Sequence, residues 1–159
     1  MNEYYQMLIT GKQRSYKVHR LKNGWKLRLL FHTYKILKIY KSRNSNYAIS
    51  YLNNINTTEK MKFTSELEEY LFCREVAKYS QTLINLMSSS ALCLERSLAI
   101  CTALRCLGVY ANVVVGRRIA MNASDGFEFH AWVEANNMPI NDTISTKSQF
   151  IELHRYPTS

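Results

Sequence analysis

Three residues have types and an order that could carry nucleophilic chemistry: Cys93, His130 and Asp142. Cys93 follows Ser88-Ser89-Ser90-Ala91-Leu92 and precedes the periodic apolar positions Leu94, Leu98, Ile100, Ala103 and Leu104. That pattern predicts a helix starting at Ala91 or Leu92, with a Ser as N-cap, and places Cys93 in its first turn. The unpaired N–H groups and positive dipole end there favour thiolate, the attacking form of cysteine. The same N–H groups can stabilise an oxyanion on the attacked carbonyl.

His130 lies in Phe127-Glu128-Phe129-His130-Ala131-Trp132-Val133-Glu134, which alternates as a strand. Phe127, Phe129, Ala131 and Val133 form the expected core face, leaving Glu128, His130, Trp132 and Glu134 on the other. A base held on a rigid strand keeps its geometry toward a thiol. A third residue should hydrogen-bond the imidazole and fix its tautomer. A hairpin turning at Asn136-Asn137 sets Asp142 across from Ala131, one position from His130. Asn141 is a fair alternative, because an amide can serve there, whereas Glu128 and Glu134 share the strand of His130. Helix Cys, strand His and next-strand Asp together form the order of a Cys-His-Asp site.

The elements that must position these groups read as follows. A turn at Lys22-Asn23-Gly24 precedes a basic amphipathic helix over residues 25–41, with Leu27, Leu30, Phe31, Tyr34 and Leu37 as its apolar stripe. Residues 43–46 and 53–58 read as loops. Ser65 and Glu68 have capping-box spacing for a helix over 65–87, whose expected buried side is Leu67, Leu71, Val76, Tyr79, Leu83, Leu86 and Met87. The Cys93 helix ends at Leu107, with Gly108 as its C′ residue. Strands are expected over 109–117, 127–134 and 138–144, with a loop at 121–126. The fold class is α+β, with helices packed on a small antiparallel sheet.

At 159 residues, 47% of them hydrophobic, the chain suits one compact domain and is not disordered on composition. It divides into a basic, partly helical region over 1–60 and a core over 61–159. Residues 1–60 hold 12 Lys and Arg against Glu3 and Glu59, while the remainder is nearly balanced. A field of that sign favours acidic partners. No secretory pattern or membrane-spanning run is found, so a cytoplasmic protein with reduced thiols is expected and membrane association is not. Cys73, Cys101 and Cys106 read as buried structural thiols. The spacing fits no zinc knuckle, so no metal is expected. His19, His32 and His154 read as surface residues. Phosphate-loop and nucleic-acid motifs are absent, so no cofactor is evident and no nucleic-acid partner is expected.

Four segments in order, Cys93-Leu94-Glu95-Arg96-Ser97-Leu98-Ala99, Gly108 to Arg117, His130-Ala131-Trp132-Val133-Glu134 and Asn141-Asp142, resemble the transglutaminase-like maturation protease of lasso-peptide clusters. The resemblance covers about residues 91–153. It implies a papain/transglutaminase-like cysteine peptidase fold, with the family's catalytic Cys, His and Asp falling on Cys93, His130 and Asp142. The implied activity is removal of the leader from a ribosomally made precursor peptide. The implied partners are that leader peptide, a separate leader-recognition protein and a lasso cyclase; ATP dependence is implied as well. The same three residues would also suit a transglutaminase-like amidase or acyl transferase. A binding module that kept the fold without catalysis would leave Cys93 unreactive.

Overall fold

The computed structural model describes residues 21–55, 60–119 and 128–157. Its elements run α1 (Asn23–Ser42), α2 (Ser45–Asn53), α3 (Glu66–Met87), α4 (Cys93–Cys106), β1 (Asn112–Arg118), β2 (Phe129–Ala135), β3 (Met138–Pro139), α5 (Thr146–Gln149) and β4 (Phe150–Tyr156). The sheet is antiparallel throughout, in the order β3-β2-β1-β4. The class is therefore α+β, as the sequence predicts. His19 and the loop 121–126 lie outside the described residues.

Helix α4 is the axis of the molecule. Every residue from Ser97 to Cys106 is buried, and the helix packs against α1, α3 and β2. The buried stretch is mainly small and apolar but takes Ser97, Thr102 and Arg105 inside as well, and the first turn, with Cys93, reaches the surface. Gly108 takes φ 83°, the left-handed C′ conformation that side chains disfavour. The Val109 N–H then closes back on the Leu104 carbonyl at 3.1 Å. That bond makes Val109 part of the helix end, so β1 starts at Asn112 rather than 109.

Helix α3 starts as predicted, with Ser65 Oγ accepting the Glu68 N–H at 3.2 Å. The Glu68 carboxylate turns to the Thr64 N–H at 2.6 Å and to its hydroxyl. The buried side differs from the expected one. Leu67, Val76 and Leu83 are inside, joined by Phe72, Cys73, Ala77 and Ile84, while Leu71 and Tyr79 are half-buried and Leu86 and Met87 exposed. The face is turned by Phe72, which seats between Trp25 of α1 and Phe63, with ring centroids 5.9 and 5.5 Å away.

Helix α1 corrects the sequence reading more sharply. It buries Leu29, Thr33, Ile36 and Leu37, whereas Leu27, Leu30, Phe31 and Tyr34 face solvent. The helix carries two apolar faces, and the one without β-branched residues is the one left outside. Helix α2 occupies residues partly read as loop; Asn44 Oδ1 caps it by accepting from the N–H groups of Asn46 and Tyr47.

The hairpin has the predicted register: Glu134 pairs with Pro139 and Ala135 with Met138. Asn136 and Asn137 take φ 47° and 59°, both left-handed, as a type I′ turn requires. The third strand is shorter than 138–144. The Ile140 N–H still reaches the Val133 carbonyl at 2.8 Å, but Asn141 Oδ1 takes the Val133 N–H at 2.7 Å. A side chain thus replaces the ladder, and the chain turns away at Asp142. Strand β4, unforeseen, pairs with β1 across a bulge at Val115/Gly116.

The alternation in β2 holds for His130, Ala131 and Val133 and fails at Phe129, Trp132 and Glu134. Phe129 is exposed, while Trp132 and Glu134 are buried on the face expected to be open. Trp132 lies across Gly116, where a Cβ would come within 2.9 Å of the indole, so that close approach requires glycine. Its Nε1–H donates to Glu134 at 3.0 Å, and Arg155 of β4 meets Glu134 at 2.9 Å. Burial works to raise the Glu134 carboxyl, but Trp132, Arg155 and Lys147 together hold it below the ordinary value.

Candidate active site

The four cysteines are all free thiols, and only Cys93 is exposed. Burial pushes Cys101 and Cys106 up to about 12, and Cys73 is raised further by the same cause. These three stay protonated and unreactive. Cys93 moves the other way. Its hydrogen bond to His130 lowers it most, outweighing burial, with the backbone N–H groups of Ala131 and Leu94 helping.

The start of α4 explains how its own first-turn N–H groups come to be free. The expected Ser cap does not form: Leu92 is the N-cap and makes no side-chain cap bond. Arg96 holds the approach instead, donating to the Ala91 carbonyl at 2.7 Å, the Ser89 carbonyl at 3.3 Å and Asn85 Oδ1 at 2.9 Å. The loop is thereby fixed through its carbonyls, and the first-turn donors remain available to the sulfur and to an oxyanion.

His130 on β2 meets both partners. Its Nε2 bonds Asp142 Oδ2, leaving Nδ1 as the nitrogen for the thiol. The Cys93 bond, then Asp142, raise His130 to about 9 against burial. Asp142 is held below the ordinary carboxylate range: burial opposes this, and His130, the Thr143 N–H and Thr146 overcome it. The His130 ring is flanked by Phe150 at 5.3 Å and Trp132 at 6.1 Å, which limit its tilt. The structure therefore brings together all three residues that the sequence singled out. The Asn141 amide instead accepts from the Val133 N–H at 2.7 Å and stands 3.4 Å from Ser97 Oγ.

Behind the three lies a second set of bonds that sequence reasoning missed. Ser97, one turn below Cys93 and fully buried, donates to the Ala131 carbonyl at 2.9 Å and stands 3.4 Å from Asn141 Nδ2. Each member neighbours a site residue: Ser97 below Cys93, Ala131 beside His130, Asn141 beside Asp142. Arg74 of α3 adds a clamp, donating to the carbonyls of Ile140 at 2.7 Å and Asp142 at 3.3 Å. Arg96 and Ser97 stand in the Cys93 segment quoted above, so their presence there was visible and their roles were not. Tyr40 of α1 was missed altogether. Burial, then the charges of Glu95 and Cys93, raise its hydroxyl.

His32 is half-buried rather than a surface residue, with Nδ1 2.9 Å from the Tyr51 hydroxyl, while His154 is exposed. Among the described residues no cluster of three or more His, Cys, Asp or Glu could hold a metal ion. The described glycines form no phosphate loop: Gly24 lies in α1, Gly108 ends α4 and Gly116 underlies Trp132. No described helix is long and apolar enough to cross a membrane.

The profile of the transglutaminase-like superfamily matches residues 48–155, and the chain belongs to that superfamily. The helix-borne Cys, strand-borne His and packed antiparallel sheet are thus those of a papain/transglutaminase-like fold. Comparison with curated proteins and with solved structures returned no match.

Proposed function

We propose that this chain is a cysteine peptidase that removes the leader from a ribosomally synthesised lasso-peptide precursor, working with a separate leader-recognition protein and a cyclase. The observation that carries the peptidase reading is the Cys93–His130–Asp142 arrangement, with opposite shifts on thiol and imidazole. Superfamily membership supports thiol-based acyl chemistry in general. The leader-peptide substrate rests on the resemblance of the four segments around these residues.

In this reading the Cys93 thiolate attacks the scissile carbonyl, and the backbone N–H of Cys93 faces the developing oxyanion. Collapse of that intermediate breaks the C–N bond, and protonated His130 delivers its proton to the leaving amine. Water then attacks the thioester with His130 as base, giving the carboxylate and restoring the thiol. Asp142 keeps the imidazole turned toward sulfur in both halves.

The test is mass spectrometry of a precursor peptide from the same gene cluster, incubated with this protein and its leader-recognition partner, alongside Cys93→Ala. Loss of a leader-length fragment with the native chain alone supports the reading. Cleavage persisting in Cys93→Ala sinks it. A product carrying an added amine in place of water assigns the site to acyl transfer instead.

A further inference from the structure

Helix α1 is apolar on two faces, and the second has no partner among the described residues. Leu27, Phe31 and Tyr34, spaced i, i+4 and i+7, are 67%, 58% and 52% exposed, with Leu30 beside them. Side chains at that spacing lie on one side of a helix, so they form a single ridge. It adjoins, at Leu30 and Tyr34, the side formed by Leu29, Thr33, Ile36 and Leu37, which seat α1 in the core. Four adjoining apolar side chains on one exposed helix face are not the scattered exposure an ordinary surface shows.

The charge around the ridge is of one sign. Residues 21–55 contain seven Lys and Arg and no Asp or Glu. Four of these cations lie over aromatic rings: Lys22 over Trp25 at 5.3 Å, Lys35 over Phe31 and Tyr51 at 5.8 and 4.7 Å, Lys38 over Tyr34 at 5.9 Å, and Arg43 over Tyr47 at 5.5 Å. An ammonium held on a ring face hinders a base from stacking there and acyl chains from wetting it. It still offers its remaining N–H donors to a carboxylate beside the ring.

From these features we infer that the exposed face of α1 docks an acidic polypeptide segment anchored by apolar side chains. Glu or Asp of the partner meet Lys35, Lys38 and Arg43, while its aliphatic or aromatic side chains cover Leu27, Leu30, Phe31 and Tyr34. The inference needs no catalysis at Cys93 and stands if the peptidase reading fails.

The probe is a labelled random copolymer of Glu and Tyr, with polyglutamate, phosphatidylglycerol vesicles and oligothymidylate as the other arms. Binding to the full chain is followed by fluorescence anisotropy and by vesicle co-sedimentation. The copolymer is expected to bind more tightly than polyglutamate and more weakly as salt rises. Phe31→Ser/Tyr34→Ser and Lys35→Glu/Lys38→Glu should each weaken it about tenfold or more. An unchanged far-UV circular dichroism spectrum shows that each variant is folded. Four results would overturn the inference: no copolymer binding, equal affinity for polyglutamate with the aromatic variant unaffected, preference for the vesicles, or preference for the oligonucleotide.

Discussion

Cys93 and His130 shift each other in opposite directions, and both shifts favour the thiolate–imidazolium form. His130 is raised to about 9, so its stabilisation is complete below the ordinary imidazole value of 6.5 and is lost as pH rises through about 9. Cys93 is lowered, so its contribution is complete above its ordinary 9.0 and is lost as pH falls through the lowered value. The charged pair therefore persists between the lowered thiol value and about 9. Peptide cleavage should fall on the alkaline side near pH 9, where His130 can no longer protonate the leaving amine. Because Asp142 helps raise His130, Asp142→Ala should move that alkaline limb to lower pH, read from the pH–rate profile. Ser97→Ala leaves the Ala131 carbonyl without its donor and should cost about 1–3 kcal/mol in urea unfolding. A fold unchanged in stability would remove Ser97 from the support of the site.

At the scale of elements, the Trp132 indole of β2 can lie across β1 because Gly116 has no side chain. Gly116→Ala puts a Cβ against the indole of Trp132 and within 3.0 Å of the Ile151 carbonyl. Such overpacking costs about 1–3 kcal/mol, and the strain should alter Trp132 fluorescence. An unperturbed spectrum at native stability would contradict that packing. The elements nearest the site were the most legible in sequence. Gly108 ended α4, Asn136-Asn137 made the turn, and the hairpin register followed from it. The rest was hidden for identifiable reasons. Helix α1 has two apolar faces, and spacing alone does not say which of them meets the core. Glu134 reads as an outward residue until Arg155, on a strand the alternation did not reveal, arrives to neutralise it. Asn141 shortened β3 through its side chain, a competition that no hydropathy pattern records.

Across the whole molecule, α1 is the element that ties the basic N-terminal region to the core. The superfamily match begins at residue 48, after α1, yet α1 packs on α4 through Leu29, Ile36 and Leu37. Each large side chain of that kind is worth about 1.5–3 kcal/mol when buried, and a domain has only about 5–15 kcal/mol in all. A chain starting at residue 45 is therefore expected to be unfolded or aggregated, judged by circular dichroism and thermal unfolding. A cooperative transition close to that of the full chain would show the core to be independent of α1.

If the fold holds Cys93 as a thiolate against His130, its alkylation rate reports that state. The rate of Cys93 modification by iodoacetamide would be followed by peptide mass spectrometry across pH, in the native chain and in His130→Ala. Native Cys93 is expected to react well below the ordinary thiol pKa, far faster than Cys73, Cys101 and Cys106, and His130→Ala should move its profile upward. A Cys93 titrating at the ordinary thiol value in both proteins would contradict that state.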